Sequence, residues 1–241
     1  MLDVFQGVVA WFQDPAHWQG EEGVWNRLSE HLLLTATATV LAVLLGLPLA
    51  LWLGHVGRGG LLAVNISNVG RAVPTFAVLL LLSIGPVGAG DLGPYGRAGL
   101  ATLLSLVLFA LPPIITNAYV GMREVDRDTV EAARGMGMRG GQLLRRVELP
   151  LALPLILAGV RLAVVQVWAT ATIAALVAGP GLGRIITLGF RRQDLPEVVS
   201  GALVVAVFAL LLEGLMVLAQ RLLDPVARAR RTPASRAGSV R

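Results

Sequence analysis

Five long apolar runs dominate this chain, at about 32–53, 61–84, 98–120, 151–179 and 198–220. Each reaches the roughly 20 residues that a helix needs to cross the ~30 Å hydrocarbon layer of a bilayer. They are far longer than barrel strands, and in lipid only helices and closed barrels satisfy their own backbone. The runs therefore predict an all-α integral membrane protein with a five-helix core. Composition agrees, since 55% of the 241 residues are hydrophobic, only 15% are charged and the mean hydropathy is +0.72. Soluble domains lie well outside that range.

All twenty basic residues are arginine and cysteine is absent, which excludes disulfides and thiolate metal sites. A sequence pI near 11.1 would suggest nucleic acid in a soluble protein. Here the arginines flank hydrophobic spans, so lipid headgroups and a partner protein are the expected counterparts and nucleic acid is not. Six arginines fall in 121–150, six in 221–241 and one in 54–60, against one in 1–31, one in 85–97 and three in 180–197. The positive-inside rule then places the amino terminus outside and the carboxyl terminus in the cytoplasm, as five crossings require.

Residues 1–31 carry five acids and one arginine, without the basic n-region of a signal peptide. Phe5, Val8, Val9 and Phe12 recur at helical spacing, and Asp14-Pro15 can end that helix and start another. With Trp18 and Trp25 seven residues apart, this extracytoplasmic segment is expected to be an amphipathic helix pair at the interface. At the other end, 221–241 reads as a basic cytoplasmic tail whose last ten or so residues are expected to be disordered.

Between the third and fourth runs lies the polar stretch 121–150. Its Gly135-Met-Gly137-Met-Arg-Gly140 matches G-x-G-x-x-G letter for letter. That fingerprint needs a preceding strand and an acid about twenty residues later, and neither is indicated. Gly179-Pro-Gly181-Leu-Gly183 lacks the phosphate-loop lysine, so neither motif makes this chain an ATPase. Asp128 and Glu131 stand in capping-box relation, predicting a short helix from near Thr129 that Gly135 or Gly137 ends. Ala132 and Ala133 give it a smooth face, and Gln142 to Val147 can form a second short helix before Pro150 and Pro154 introduce the next span. Physics alone leaves two readings, a lever seated in another protein and a solvated connection.

The residues of this loop resemble a known signature. Glu131-Ala132-Ala133, then Gly137, then Val147, Leu149 and Pro150 fit E-A-A-x3-G-x9-I-x-L-P with only Val147 in place of isoleucine. This is the EAA motif of permease subunits in bacterial binding-protein-dependent ABC importers. "RAVPTFAVLLLLSIG" (71–85), "LPPIITNAYVGMREVD" (111–126) and the stretch 159–190 are similar to the short permeases of osmoprotectant importers, which carry glycine betaine, choline, carnitine or related quaternary amines. The resemblance, from about His31 to Arg221, implies a methionine-importer-like permease fold in the bacterial plasma membrane. It also implies that Glu131, Ala132, Ala133, Gly137, Val147, Leu149 and Pro150 couple the chain to a cytoplasmic ATPase. No cofactor is expected on this chain, because ATP and magnesium belong to that ATPase. The remaining partners implied are a second permease subunit, identical or related, and a separate extracytoplasmic binding protein. The alternatives are an amino-acid (methionine-type) permease and a non-transporting membrane scaffold or regulator.

Polar residues within spans are costly unless they face protein or water. Asn65, Asn68 and Arg71 form a stripe at three-residue spacing, and Arg161 and Glu213 are expected to pair. Pro74, Thr75, Trp168, Thr170 and Thr172 are candidates for the translocation path or its gate. Packing is the other reading of these, as for Thr35, Thr37 and Thr39. His17, His31 and His55 are expected to be solvated or interfacial.

Overall fold

The computed structural model describes residues 2–60, 65 and 72–223. Asn68 and Arg71 of the expected polar stripe and the tail beyond Leu223 lie outside them. Apart from an isolated bridge between Asp91 and Arg97, the regular structure among the described residues is helical, with α1 (Leu2–Gln13), α2 (Val24–Val56), α3 (Thr75–Ile84), α4 (Gly99–Arg123), α5 (Arg127–Gly135), α6 (Gly140–Leu143), α7 (Leu149–Ala174), α8 (Gly183–Arg192) and α9 (Leu195–Leu223). A π-helical turn, Leu144–Glu148, joins α6 to α7 without a break, so Gly140–Val177 is one helical rod. That rod, α2, α4 and α9 are each long and apolar enough to span a bilayer. The second expected span is described mainly as α3, a short apolar helix entered through Pro74.

The centre of the bundle is α4, buried over most of its length between α2 and α7. Ala38 and Ala42 of α2, Ala110 of α4 and Ala163 and Ala171 of α7 meet there with Leu34, Leu106 and Ile114. Small residues let helix backbones approach closely, which is what holds helices together where lipid is as apolar as leucine. Gly159 marks a close approach of α7 to α4: a Cβ there would come within 2.6 Å of Asn117 Cβ and 2.8 Å of the Pro113 carbonyl oxygen. A second cluster nearer the central loop joins Ala50, Ile115, Ala118, Met122, Ala152 and Ile156.

Helix α2 begins at Val24, a full two turns before the apolar run that predicted it. Its first turns are polar, and Arg27 is neutralised there by Glu30 at 3.0 Å and Glu22 at 3.5 Å. Asp14 does stop α1, its Oδ1 accepting from Ala16 N–H at 2.9 Å. The expected second helix is only a 3-10 turn, Pro15–His17, because Gly20 takes a left-handed φ of 84°. Trp18 and Trp25 still meet, at a ring separation of 5.6 Å. Helix α1 packs on α9, and Val8 and Trp11 are buried while Leu2 and Phe5 face outward.

Candidate functional site

The polar loop folds as a capped helix. Asp126, not Asp128, is the N-cap of α5: its Oδ2 accepts from Thr129 N–H at 3.2 Å and from the Thr129 hydroxyl at 2.8 Å. Both donors belong to one residue, so Asp126 takes the cap and Asp128 falls in the first turn beside the positive helix end. The Thr129 hydroxyl and then its N–H hold the Asp126 carboxyl below its ordinary value. At the other end, Gly137 adopts a φ of 84°. Its N–H reaches the Arg134 carbonyl at 2.9 Å, and Met138 N–H reaches the Ala133 carbonyl at 3.2 Å. This paired closure satisfies the last carbonyls and needs a left-handed residue at that position.

The caps decide which way the motif faces. Ala133 is buried against the bundle, while Glu131 and Ala132 are exposed. The two alanines thus do not form one smooth outer face; one anchors the helix and the other is presented. Beyond the turn, Arg139 N–H donates to Gln142 Oε1 at 3.0 Å and starts α6. Val147, Leu149 and Pro150 are half-buried where the π turn enters α7, and Leu149 packs on the cluster around Ile115 and Met122.

A polar cavity of about 150 Å³ opens beside α5, with Arg123, Arg127, Arg134 and the exposed Glu131 at its rim. Its inner wall holds Glu148, which is buried, and His55 from the last turn of α2. His55 Nδ1 and Glu148 Oε2 are 2.5 Å apart, so the loop is pinned to α2 as well as to α7. The sequence carries no signal for this contact, because 93 positions separate the partners.

The other predicted residues are dispersed. Arg161 Nε sits 3.4 Å from Glu213 Oε1, and Arg161 also donates to Gln220 Oε1 at 3.1 Å. Pro74 is exposed at the start of α3, and Thr75 is half-buried. Trp168 is buried among Trp11, Val24, Leu182 and Val204, so in this conformation it packs rather than lines an opening. Thr170 is buried too, and the half-buried Thr172 donates to the Trp168 carbonyl at 3.4 Å.

His31 is not the solvated or interfacial group its position suggested. It is fully buried, its ring tilted against that of Trp168 at a centroid distance of 4.2 Å. Leu182 N–H donates to its Nδ1 at 3.3 Å, which leaves Nε2 to donate to the Trp168 carbonyl at 3.1 Å. Beside it, Gly181 N–H donates to Glu30 Oε2 at 2.9 Å. These bonds fasten the loop between α7 and α8 to the start of α2. His17 lies half-buried against the Trp11 ring at 4.6 Å.

Comparison with known proteins follows the same lines. An osmoprotectant import permease protein of Salmonella typhimurium is 36% identical, over 81% of this chain and 80% of its own length. A carnitine transport permease protein of Listeria monocytogenes is 31% identical over 95% of this chain and 97% of its own. A choline transport system permease protein of Bacillus subtilis is 30% identical over 81% and 86%. The fold matches that of the inward-facing MetNI methionine ABC transporter with a TM-score of 0.71 at 22% identity, covering 87% of this chain and 98% of that one. Residues 42–229 match the family described as binding-protein-dependent transport system inner membrane component. The chain belongs to that family, whose members are transport subunits of the inner membrane that work with an ATPase and a substrate-binding protein.

Proposed function

We propose that this chain is the permease of an ABC importer for osmoprotectants: glycine betaine, choline, carnitine or a related quaternary amine. The observation that carries the coupling half of this reading is α5, a helix capped at both ends by Asp126 and Gly137, with Glu131 and Ala132 outward and Ala133 inward. Such a helix transmits a push as a rigid body, and after the short turn 136–139 the rod Gly140–Val177 leads from it into the membrane. The substrate half is supported by the relatives' names and by the osmoprotectant-like stretches in the sequence. The likeness to the methionine transporter is one of fold.

In this reading the amino terminus is outside and the loop cytoplasmic. Two permease subunits, identical or related, enclose the path, and two ATPases hold ATP and magnesium. Closure of the ATPases draws the α5 helices together and turns the path outward to a separate binding protein; hydrolysis restores the inward state.

The test is uptake of labelled glycine betaine, choline and carnitine into proteoliposomes containing this chain, its ATPase and its binding protein, with ATP inside. ATP-dependent uptake that Glu131→Arg abolishes is the expected result. An ATPase-active complex that imports methionine and none of the three amines would give the amino-acid reading instead. Hydrolysis with no transported solute, and no stimulation by loaded binding protein, would give the scaffold reading.

A further inference from the structure

A second, larger cavity of about 390 Å³ opens where α7 runs into α8, lined by Leu176, Arg184, Thr187, Phe190 and Arg191 among others. Arg184, Thr187 and Arg191 follow one another at three and four positions on α8, so they share a face. The opposite face is sealed onto α9: a Cβ on Gly189 would come within 2.8 Å of the Val198 nitrogen, and one on Gly201 within 2.9 Å of Ile185 Cγ2. The helix therefore cannot turn to hide its arginines. Its third arginine, Arg192, is already paired with Glu197 at 3.2 Å.

Arg184 and Arg191 are different. Neither enters an ion pair among the described residues, and the Arg184 Nε is buried without a hydrogen-bond partner. A buried guanidinium N–H left unpaired is expensive, and two unpaired cations on one cavity wall, Arg184 half-buried and Arg191 exposed, favour an anion between them. No acidic side chain lines the cavity. The Thr187 hydroxyl is turned back to the Arg184 carbonyl at 3.1 Å, which leaves the two guanidiniums as its donors. Beside them stand two apolar groups, Leu176 and Phe190, both largely exposed. Leu176 lies four residues beyond Thr172, in the 3-10 turn that ends the rod after α7, so the cavity adjoins the candidate path residues at that end.

The geometry points to a receiving subsite for a small zwitterion, with its carboxylate held by Arg184 and Arg191 and its trimethylammonium head against Leu176 and the Phe190 ring. Charge-assisted hydrogen bonds fix the carboxylate, and the aromatic face and apolar wall accept the bulky cation. The consequence is selective: glycine betaine and carnitine carry the carboxylate, whereas choline brings only a cation to a doubly cationic wall. This subsite rests on the osmoprotectant reading above and narrows it to the carboxylate-bearing amines.

The test uses the intact permease–ATPase complex in nanodiscs, without binding protein, titrated with glycine betaine, carnitine and choline. Saturation-transfer NMR on the trimethylammonium protons reads the binding. Glycine betaine and carnitine are expected to bind and choline to bind at least about tenfold more weakly; Arg184→Gln and Arg191→Gln each weaken the carboxylates by about tenfold or more. Arg191→Lys restores part of the affinity, and Arg192→Gln, outside the cavity, leaves it unaltered. Choline binding as well as glycine betaine, or indifference to both Gln variants, overturns the subsite. Variants that convert a dimeric complex to monomers with an unchanged titration would make these arginines a subunit contact and overturn it too. Uptake of the amines by the full system together with a failed titration removes only the subsite, whereas absence of any amine uptake removes the osmoprotectant reading itself.

Discussion

His31 is held at both ring nitrogens in a site with no exposed surface. Its replacement by phenylalanine keeps a ring beside Trp168 but leaves Leu182 N–H without its acceptor. An orphaned buried donor costs about 1–3 kcal/mol, so His31→Phe is expected to lower the melting temperature of the detergent-solubilised protein by that equivalent. An unchanged melting temperature would show that the α7–α8 loop is not fastened there. Asp126 has the opposite setting, fully outside the bundle. Its carboxyl is held below the ordinary value by the hydroxyl and N–H of Thr129. The cap therefore contributes fully above the ordinary carboxylate value and is lost as pH falls through the depressed one. Hydrogen exchange across 127–135, corrected for the intrinsic pH dependence, is expected to stay protected at neutral pH and to rise only in acid. Asp126→Asn, which still accepts a hydrogen bond but does not titrate, is expected to remove the acid step.

At the scale of elements, the loop is tied to two helices. Glu148 reaches α2 through His55, and Leu149 starts α7. The tie to α2 predicts that Glu148→Ala lowers solute moved per ATP hydrolysed, while His55→Ala does the same and the double variant is no worse than either alone. Parallel uptake and ATPase assays check this; equal losses in both activities would assign the pair to stability only. Four long apolar helices were legible in the sequence because apolar runs are local signals, and so was a short loop helix ended at Gly137, although its cap is Asp126 and not Asp128. The start of α2 was not, since Glu21, Glu22, Arg27 and Glu30 read as solvent-facing until Arg27 is seen to be neutralised by its neighbours. Nor was the unbroken rod through Pro150 and Pro154. Prolines usually punctuate a helix, but here Pro150 falls in the first turn after a π turn whose looser ring accommodates the missing donor.

For the molecule as a whole, α9 is the outlying helix, with most of its apolar surface uncovered. Two polar ties hold it to the rod among the described residues: the Trp168 indole N–H with the Val205 carbonyl at 3.4 Å, and Arg161 with Glu213 and Gln220, Gln220 in turn with the Pro154 carbonyl at 3.4 Å. Both charges are 36% exposed, so in water the pair would contribute about 0–1 kcal/mol. In a bilayer the lone charge is the expensive state. Arg161→Leu and Glu213→Leu are each expected to reduce membrane-inserted yield and thermal stability, and the double variant to recover part of both. A double variant as poor as the sum of the singles would remove the pairing from the account. The π turn at Leu144–Glu148 has a last consequence, for how this chain tolerates changes in length. One residue corresponds to about 100° of helical rotation. Deleting or inserting a single residue between Gly140 and Leu149 would swing Glu131 and Ala132 around the rod axis, which under the proposed coupling role turns the wrong side of α5 outward. This stretch should therefore accept substitutions far more readily than indels, even though it lies in a solvent-facing loop, where length usually varies most freely.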